Sequence, residues 1–279
     1  MNLQWAMANA EESASRGGAA RLRPGGRRRH GWRSVLLLVV ACCGLAANAG
    51  QEQREDLSRG AAANSAVVQL VAIGPGARDK NRECAATGFF VNEDGYILTN
   101  AHVIEDAQAC LARSAHGKIL AKVGGSGSAT APAFSCELVG LDETHDLAVL
   151  KTERPLATNP KSVPYALLDL HDVEEGAPVL VAGHPTFAWQ PVTQTGKVVQ
   201  REMMDLSVRS SEKSEVLVLD IALKPGNSGS PVYRAETQGV VGVVVSRDPS
   251  LPSQTVALTI PTVIALLDRC GVKWHAGER

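Results

Sequence analysis

The stretch that decides the fold is PGNSGSP, residues 225–231. On its own, the run Gly-Asn-Ser-Gly is typical of a tight turn, because glycine adopts backbone conformations that other residues avoid. A sharp turn at Gly226 would also bring the backbone N–H groups of Gly226 and Ser228 together at one point, beside the Ser228 hydroxyl. The segment is therefore either a plain turn or a reactive site, and the rest of the chain decides between them.

Two further segments carry side chains that could act with this serine. The first is YILTNAHV, residues 96–103, which contains His102, and the second is THDLAVLK, residues 144–151, which contains Asp146. Taken singly, each has an ordinary structural interpretation. A histidine at the end of an apolar strand usually packs or caps, and an aspartate before an apolar strand usually belongs to a turn.

Taken together, the three segments predict a catalytic triad. A serine hydroxyl is a poor nucleophile at neutral pH and needs an adjacent base. Histidine suits that task because its unperturbed pKa is about 6.5, and a buried carboxylate can fix its tautomer. The chain order His102, Asp146, Ser228 is that of chymotrypsin and differs from the orders of subtilisin and the α/β-hydrolases. An esterase of another fold is disfavoured by this order and by the absence of a Gly-x-Ser-x-Gly context.

These segments resemble the protease domain of the Deg/HtrA family, a branch of the chymotrypsin-like serine peptidases. The similarity spans nearly all of the chain after the N-terminal region. Its remaining motifs, in the order in which they occur, are Gly88–Val91, Gly95–Val103, Asp146–Lys151, Ala182–Pro185, Gly196–Val199 and Asp220–Pro231.

The resemblance implies an all-β fold of two six-stranded antiparallel β-barrels, with the triad in the cleft between them. It implies a serine endopeptidase that hydrolyses exported or misfolded polypeptides through an acyl-enzyme on Ser228. The oxyanion hole would consist of the Gly226 and Ser228 N–H groups. No metal or organic cofactor is expected.

The resemblance also assigns a primary specificity pocket. Its base would be Ala222, six residues before the nucleophile, and its walls would include Val243, Val244 and Val245. Because no carboxylate stands at the base, we expect a preference for small or medium apolar side chains before the cleaved bond.

Two features depart from the familiar family pattern. Ser230 stands where a second glycine is usual, and its side chain could crowd the strand that faces the substrate. No PDZ domain is expected after the protease domain, so neither PDZ-based regulation nor trimer formation is carried over.

The competing hypothesis is a weak or inactive binding protein on the same fold, since a flipped turn at Gly226 would abolish the oxyanion hole.

The hydrophobic pattern independently favours an all-β fold, either a sandwich or a pair of barrels. From Ala66 onward, short Val-rich runs alternate with turns, and Pro261 can open a short C-terminal helix that ends near Arg269. The predicted organisation is a leader (1–49), a linker (50–63), the protease domain (64–272) and a C-terminal tail (273–279). Strands are predicted at Val67–Ile73, Gly88–Val91, Tyr96–Thr99, Ile119–Val123, Glu137–Leu141, Leu147–Lys151, Pro178–Ala182, Val192–Val199, Val216–Asp220, Val240–Ser246 and Thr255–Ile260.

The N-terminal region is typical of an export signal. Six arginines between positions 21 and 33 precede the apolar run 35–41, which is too short to span a membrane comfortably, and Ala47-Asn48-Ala49 offers a cleavage site. A disordered basic arm or a nuclear signal is the weaker interpretation. A bacterial lipoprotein box ending at Cys42 is the other candidate, so a cleaved leader and a lipid anchor at Cys42 both stay open. Either one predicts an exported protein, periplasmic or secreted.

The net charge limits the classes of binding partner, and the cysteines indicate possible disulfides. Without the leader, 21 basic and 27 acidic residues remain, a formal net charge of −6, which argues against nucleic-acid binding. In an oxidising compartment the cysteines could form disulfides. Cys110 and Cys136 bracket a predicted hairpin and are the first choice of pair, although Cys84 could bond to either of them.

Overall fold

The computed structural model describes residues 64–73, 85–111, 117–123, 132–156, 163–186, 188–206, 210–247 and 253–277. The predicted leader, the linker, the lipid-anchor candidate Cys42 and Cys84 lie outside these ranges. The expectations attached to them therefore stay predictions.

The strands and helices are mostly short, as the hydrophobic pattern predicts. They are β1 (Val67–Ile73), β2 (Ala85–Phe90), β3 (Tyr96–Thr99), α1 (Ala101–Leu111), β4 (Lys118–Val123), β5 (Ala133–Asp142), β6 (Leu147–Thr152), β7 (Pro178–Gly183), β8 (Val192–Asp205), β9 (Lys213–Leu219), β10 (Pro231–Arg234), β11 (Val240–Arg247), β12 (Thr255–Thr259) and α2 (Ile260–Arg269).

These strands form two closed barrels of six strands each. The first has the order β1-β2-β3-β6-β5-β4, and the second has the order β10-β11-β12-β9-β8-β7. Every pairing within them is antiparallel, from β1 with β2 through β8 with β9. Closure leaves no free sheet edge in either barrel. The predicted fold class is confirmed.

Alternation along the strands divides the apolar side chains among three clusters. Because successive strand residues point to opposite faces, Phe90 packs inside the first barrel while its neighbour Phe89 packs in a cluster shared by both barrels. Val181 and Val244 belong to the interior of the second barrel. The shared cluster also receives α2, through Val263 and its neighbours. Because it contains residues of both barrels, it joins them.

The chain beyond α2 is part of this fold as far as Gly277. The Leu168 N–H donates to the His275 carbonyl at 2.9 Å, and the Gly277 N–H donates to the Leu168 carbonyl at 2.9 Å. The His275 ring also stacks on Tyr165. The predicted tail is therefore docked where it is described. No helix in the described ranges is long and apolar enough to cross a bilayer.

The first-choice disulfide is wrong. Cys110 is disulfide-bonded, but Cys136 and Cys270 carry free thiols. Cys136 packs against the interior of the first barrel, where burial raises the pKa of its thiol to about 11. Cys110 instead lies on an exposed position of α1, so the two side chains occupy different environments. A pair that includes Cys84 stays a prediction.

Candidate active site

The first barrel presents His102 at the junction of a strand and a helix. β3 ends at Thr99 and α1 begins at Ala101, so His102 lies in the first turn of α1. The side chain of His102 is 39% exposed, while that of Asp146 is only 14% exposed. The imidazole ring is therefore partly open to solvent, while its Nδ1 edge meets a mostly buried carboxylate.

His102 and Asp146 are in direct contact. Nδ1 of His102 lies 2.7 Å from Oδ2 of Asp146, and the His102 backbone N–H donates to Oδ1 at 2.9 Å. An ionised carboxylate only accepts hydrogen bonds, so Nδ1 carries the proton. This tautomer leaves the lone pair of Nε2 available as a base.

Asp146 is held in place through its backbone as well as its side chain. Its φ of +53° lies in the left-handed region, which aspartate and asparagine tolerate better than other non-glycine residues. The side-chain amide of Asn100 donates to the Asp146 carbonyl at 2.9 Å. Asn100 thus connects the start of the His102 helix to the turn that carries Asp146.

The turn before Asp146 is fixed by a second set of polar contacts. Asp142 accepts from the His145 N–H at 3.1 Å, pairs with the His145 ring at 3.0 Å, and accepts from Arg269 of α2 at 2.5 Å. Burial alone would raise the pKa of Asp142, but the hydrogen bonds from Arg269 and His145 outweigh it and lower that pKa. His145 is a turn residue whose ring pairs with Asp142 and Glu212.

The surroundings of His102 act on its pKa in opposing directions. Burial acts to lower its pKa and is the largest single influence. The hydrogen bond and charge of Asp146, with smaller contributions from Asp106 and Glu105, together outweigh burial and raise the pKa of His102 above its usual value.

Ser228 lies in a segment whose carbonyl groups are all occupied. The five consecutive carbonyls of residues 224–228 each accept a hydrogen bond. By contrast, the N–H groups of Gly226 and Ser228 have no acceptor in the described part of the chain. The donors to the five carbonyls, in order, are Asn227 N (3.4 Å), Thr186 N (2.7 Å), Thr87 Oγ1 (2.7 Å), Ser230 N (3.0 Å) and Thr87 N (3.0 Å).

These hydrogen bonds to the carbonyls orient the N–H groups of Gly226 and Ser228 outward from the turn. A peptide group is planar and trans, so its N–H points away from its C=O. The carbonyl that shares a peptide with the Gly226 N–H is held by Thr186, and the one that shares a peptide with the Ser228 N–H is held by Ser230. The φ of +96° at Gly226 gives the 224–227 turn the geometry of a type II turn.

The turn adjoins the strand that leads to His102. A side chain at Gly229 would begin 2.5 Å from Oγ1 of Thr99, so only glycine fits against the end of β3. The Ser228 hydroxyl and the His102 ring do not form a hydrogen bond in this structure. In unliganded enzymes such a bond is often long and tightens on substrate binding.

A pocket of about 240 Å³ opens beside Ser228. Of the four predicted pocket residues, Val244 lines it. Val243 and Val245 do not, because they point to the other face of β11 and are buried in the cluster shared by the barrels. Ala222 is exposed and also does not line the pocket, since its neighbour Leu223 takes the inward position. The lining residues are Leu223, Lys224, Pro225, Asn227, Ser228, Val244 and Thr255.

Ser230 does not crowd the pocket. It is fully buried, and a β-carbon added at Gly183 would lie only 2.1 Å from its Oγ. The absence of a side chain at Gly183 therefore provides the room that Ser230 occupies. The Ser230 hydroxyl has no hydrogen-bond partner among the described residues.

Several supporting residues could not be identified from the sequence. Thr87, Thr186 and Arg269 are each far along the chain from the groups they hold, and none belongs to a recognisable motif. Asn100 carried a weak signal, because it lies in the same segment as His102, two residues before it.

With this geometry in place, comparison with known proteins identifies the class. The sequence profile of the trypsin-like peptidase domain matches residues 86–243, more than half of the chain. The chain belongs to the trypsin-like peptidase family.

Individual relatives lie in the branch that the sequence motifs indicated. A probable periplasmic serine endoprotease, DegP-like, of Halomonas elongata is 28% identical over 199 residues, which cover 70% of this chain and 37% of the relative. The chain thus spans about a third of the length of the curated relatives it matches. The resemblance to the Deg/HtrA proteases is confirmed.

Two solved structures show the same fold. The Rv3671c protease from M. tuberculosis in its active form superposes with a TM-score of 0.59 at 20% identity, covering 78% of this chain and 86% of that one. The serine endoprotease from Yersinia pestis superposes with a TM-score of 0.56 at 20% identity, covering 76% and 65%.

Proposed function

We propose that the chain is a serine endopeptidase. The observation that carries this proposal is the pair formed by His102 and Asp146 at 2.7 Å, in the same fold as a serine turn whose Gly226 and Ser228 N–H groups are open. The family membership and the serine endoproteases among its relatives support it.

In the proposed reaction, the Ser228 hydroxyl attacks the peptide carbonyl and transfers its proton to Nε2 of His102. Asp146 keeps the ring in the required tautomer and stabilises the imidazolium. The oxyanion is bound by the Gly226 and Ser228 N–H groups, each contributing about 3–4 kcal/mol of barrier reduction. His102 then protonates the leaving amine, and water hydrolyses the acyl-enzyme with His102 again as base.

The proposed substrates are polypeptides in an exported compartment. Relatives named as periplasmic endoproteases support this location, as does the predicted leader. A lipid anchor at Cys42 remains an alternative to simple cleavage of that leader.

Labelling with a fluorophosphonate probe tests the activity. We expect the probe to phosphonylate Ser228, with the adduct mapped by peptide mass spectrometry, and the Ser228→Ala protein to stay unlabelled. Ser214→Ala is the matched control, because Ser214 is a buried serine of β9 whose hydroxyl has no partner among the described residues. A folded protein that shows no labelling and no casein cleavage across pH and temperature would instead favour an inactive binding protein.

The pocket predicts the residue preferred before the cleaved bond. Leu223 and Val244 give it apolar walls, and the Thr255 hydroxyl is already bonded to the Ile221 carbonyl at 2.6 Å. Lys224 is the one ionisable side chain among the described residues that line it. A lysine there disfavours a basic substrate side chain by charge repulsion. In a peptide library we expect cleavage after small or medium apolar residues. Preferred cleavage after Arg or Lys would refute this assignment.

A further inference from the structure

We propose that Thr87 is a positioning residue that holds the oxyanion turn in its open form. Thr87 lies on β2 of the first barrel, whereas the turn that contains Gly226 and Ser228 belongs to the second. This inference rests on the proposed function, because it concerns the same oxyanion hole.

Thr87 binds the turn at two points. Its hydroxyl donates to the Gly226 carbonyl at 2.7 Å, and its backbone N–H donates to the Ser228 carbonyl at 3.0 Å. These carbonyls belong to Gly226 and Ser228, the same two residues whose N–H groups face outward. Thr87 therefore fixes the backbone of both residues from the buried side without touching a substrate.

The direction of the hydroxyl bond is determined by its partners. The His184 N–H can only donate, and it does so to Oγ1 of Thr87 at 2.9 Å. The single hydroxyl proton is then directed to the Gly226 carbonyl, which can only accept. Thr87 is fully buried, so water cannot readily replace either bond.

The same hydroxyl also steadies the opposite side of the turn. His184 begins the loop that carries Thr186, and Thr186 holds the Pro225 carbonyl. Thr87 is itself held by the Thr99 hydroxyl, which donates to the Thr87 carbonyl at 2.8 Å. Thr99 lies three residues before His102. One buried threonine thus connects the end of the strand leading to the base with both sides of the oxyanion turn.

Removing the hydroxyl should damage the transition state more than substrate binding. In Thr87→Val, the Gly226 carbonyl and the His184 N–H lose their partner, and the turn can reorient. Displacing a catalytic group by about 1 Å can cost about 100-fold in rate. We expect kcat to fall about 10- to 100-fold, with KM changed far less. Thr87→Ser keeps the hydroxyl and should recover most of kcat.

Thr152→Val is the matched control. Thr152 is a buried threonine of β6 in the same barrel, and its hydroxyl has no hydrogen-bond partner among the described residues. The substitution removes the same atom but breaks no bond, so kcat should stay at the wild-type value. Thermal unfolding of all three variants shows which are folded, and Thr87→Ala serves as a second hydroxyl-free variant if Thr87→Val does not fold.

Crystal structures provide a readout independent of turnover. In the hydroxyl-free variant we expect the 224–227 turn to flip or lose order, and in Thr87→Ser we expect φ at Gly226 to stay in the left-handed region. An unchanged turn, or a wild-type kcat in the hydroxyl-free variant, overturns the proposal. A wild-type protein that never reacts with a fluorophosphonate would refute the proposed function instead, and the crystal structures would still decide the role of Thr87 in the turn.

Discussion

An Asp146→Asn variant is expected to lose about 10⁴-fold in kcat. Oδ2 of Asp146 accepts the Nδ1–H of His102 at 2.7 Å, and Oδ1 accepts the His102 backbone N–H at 2.9 Å. An amide would place a donor against the ring and favour the tautomer with the proton on Nε2, which cannot act as a base. Asparagine tolerates the φ of +53° at this position, so the backbone should be kept. Steady-state kinetics on a peptide substrate measure the loss of kcat, and thermal unfolding shows whether the fold is kept.

The same variant should move the pH dependence in a defined direction. Burial opposes charge on His102, but Asp146 and its neighbours raise the pKa of His102 overall. Wild-type activity therefore falls as the pH drops through this raised pKa. Without the carboxylate, the acid limb of the residual activity should shift to lower pH. Asp106→Asn, which removes an acidic side chain of α1 that makes no hydrogen bond to His102, should keep kcat close to the wild-type value. Identical acid limbs in wild type and Asp146→Asn would contradict the assignment.

Stability should depend on pH with the matching sign. Because the folded pKa of His102 is raised, its pairing with Asp146 stabilises the folded state fully below the unfolded pKa. This contribution is lost as the pH rises through the folded pKa. The difference in stability between wild type and Asp146→Asn should thus be larger near pH 6 than at alkaline pH, as measured by urea unfolding.

The strands could be predicted from local pattern, and the exceptions have local causes. β1 and β3 have the predicted bounds because each is a β-branched or apolar run with turn residues beside it. Helix α1 was not predicted, because it begins at Ala101 inside the segment 96–103, which was interpreted as one motif around His102. β10 was not predicted because it is four residues long and starts at Pro231, which cannot donate to a ladder.

The residues of the active site also fall into two groups, those that the sequence could predict and those that it could not. The chemistry of an activated serine allows few side-chain types, so Ser228, His102 and Asp146 could be proposed from type and order alone. The groups that hold them act across the fold: Thr87 and Gly226 are 139 residues apart. Leu223 lines the pocket beside Ser228 and Ala222 does not, and the irregular segment before the turn gives no pattern to show which of the two faces inward. The prediction of a disulfide between Cys110 and Cys136 was wrong because the spacing of cysteines along the chain does not show which side chains come together in the fold.

A Gly226→Ala variant is expected to lose about 10²–10³-fold in kcat, the effect of removing one oxyanion donor. The added β-carbon would lie 2.6 Å from the His184 carbonyl oxygen, a backbone atom that cannot move aside cheaply. The φ of +96° is also unfavourable for alanine. Both effects favour a rotated Pro225–Gly226 peptide, which turns the Gly226 N–H away from the oxyanion.

Gly176→Ala separates these two effects. Gly176 has a similar φ of +85°, but nothing lies within 4 Å of an added β-carbon. This control should lose about 1–2 kcal/mol of stability from backbone strain alone and keep its kcat. If Gly226→Ala behaves in the same way, with a small loss of stability and wild-type turnover, then the Gly226 N–H does not bind the oxyanion. If only Gly226→Ala loses kcat while KM changes little, then the open N–H of this turn acts in the transition state.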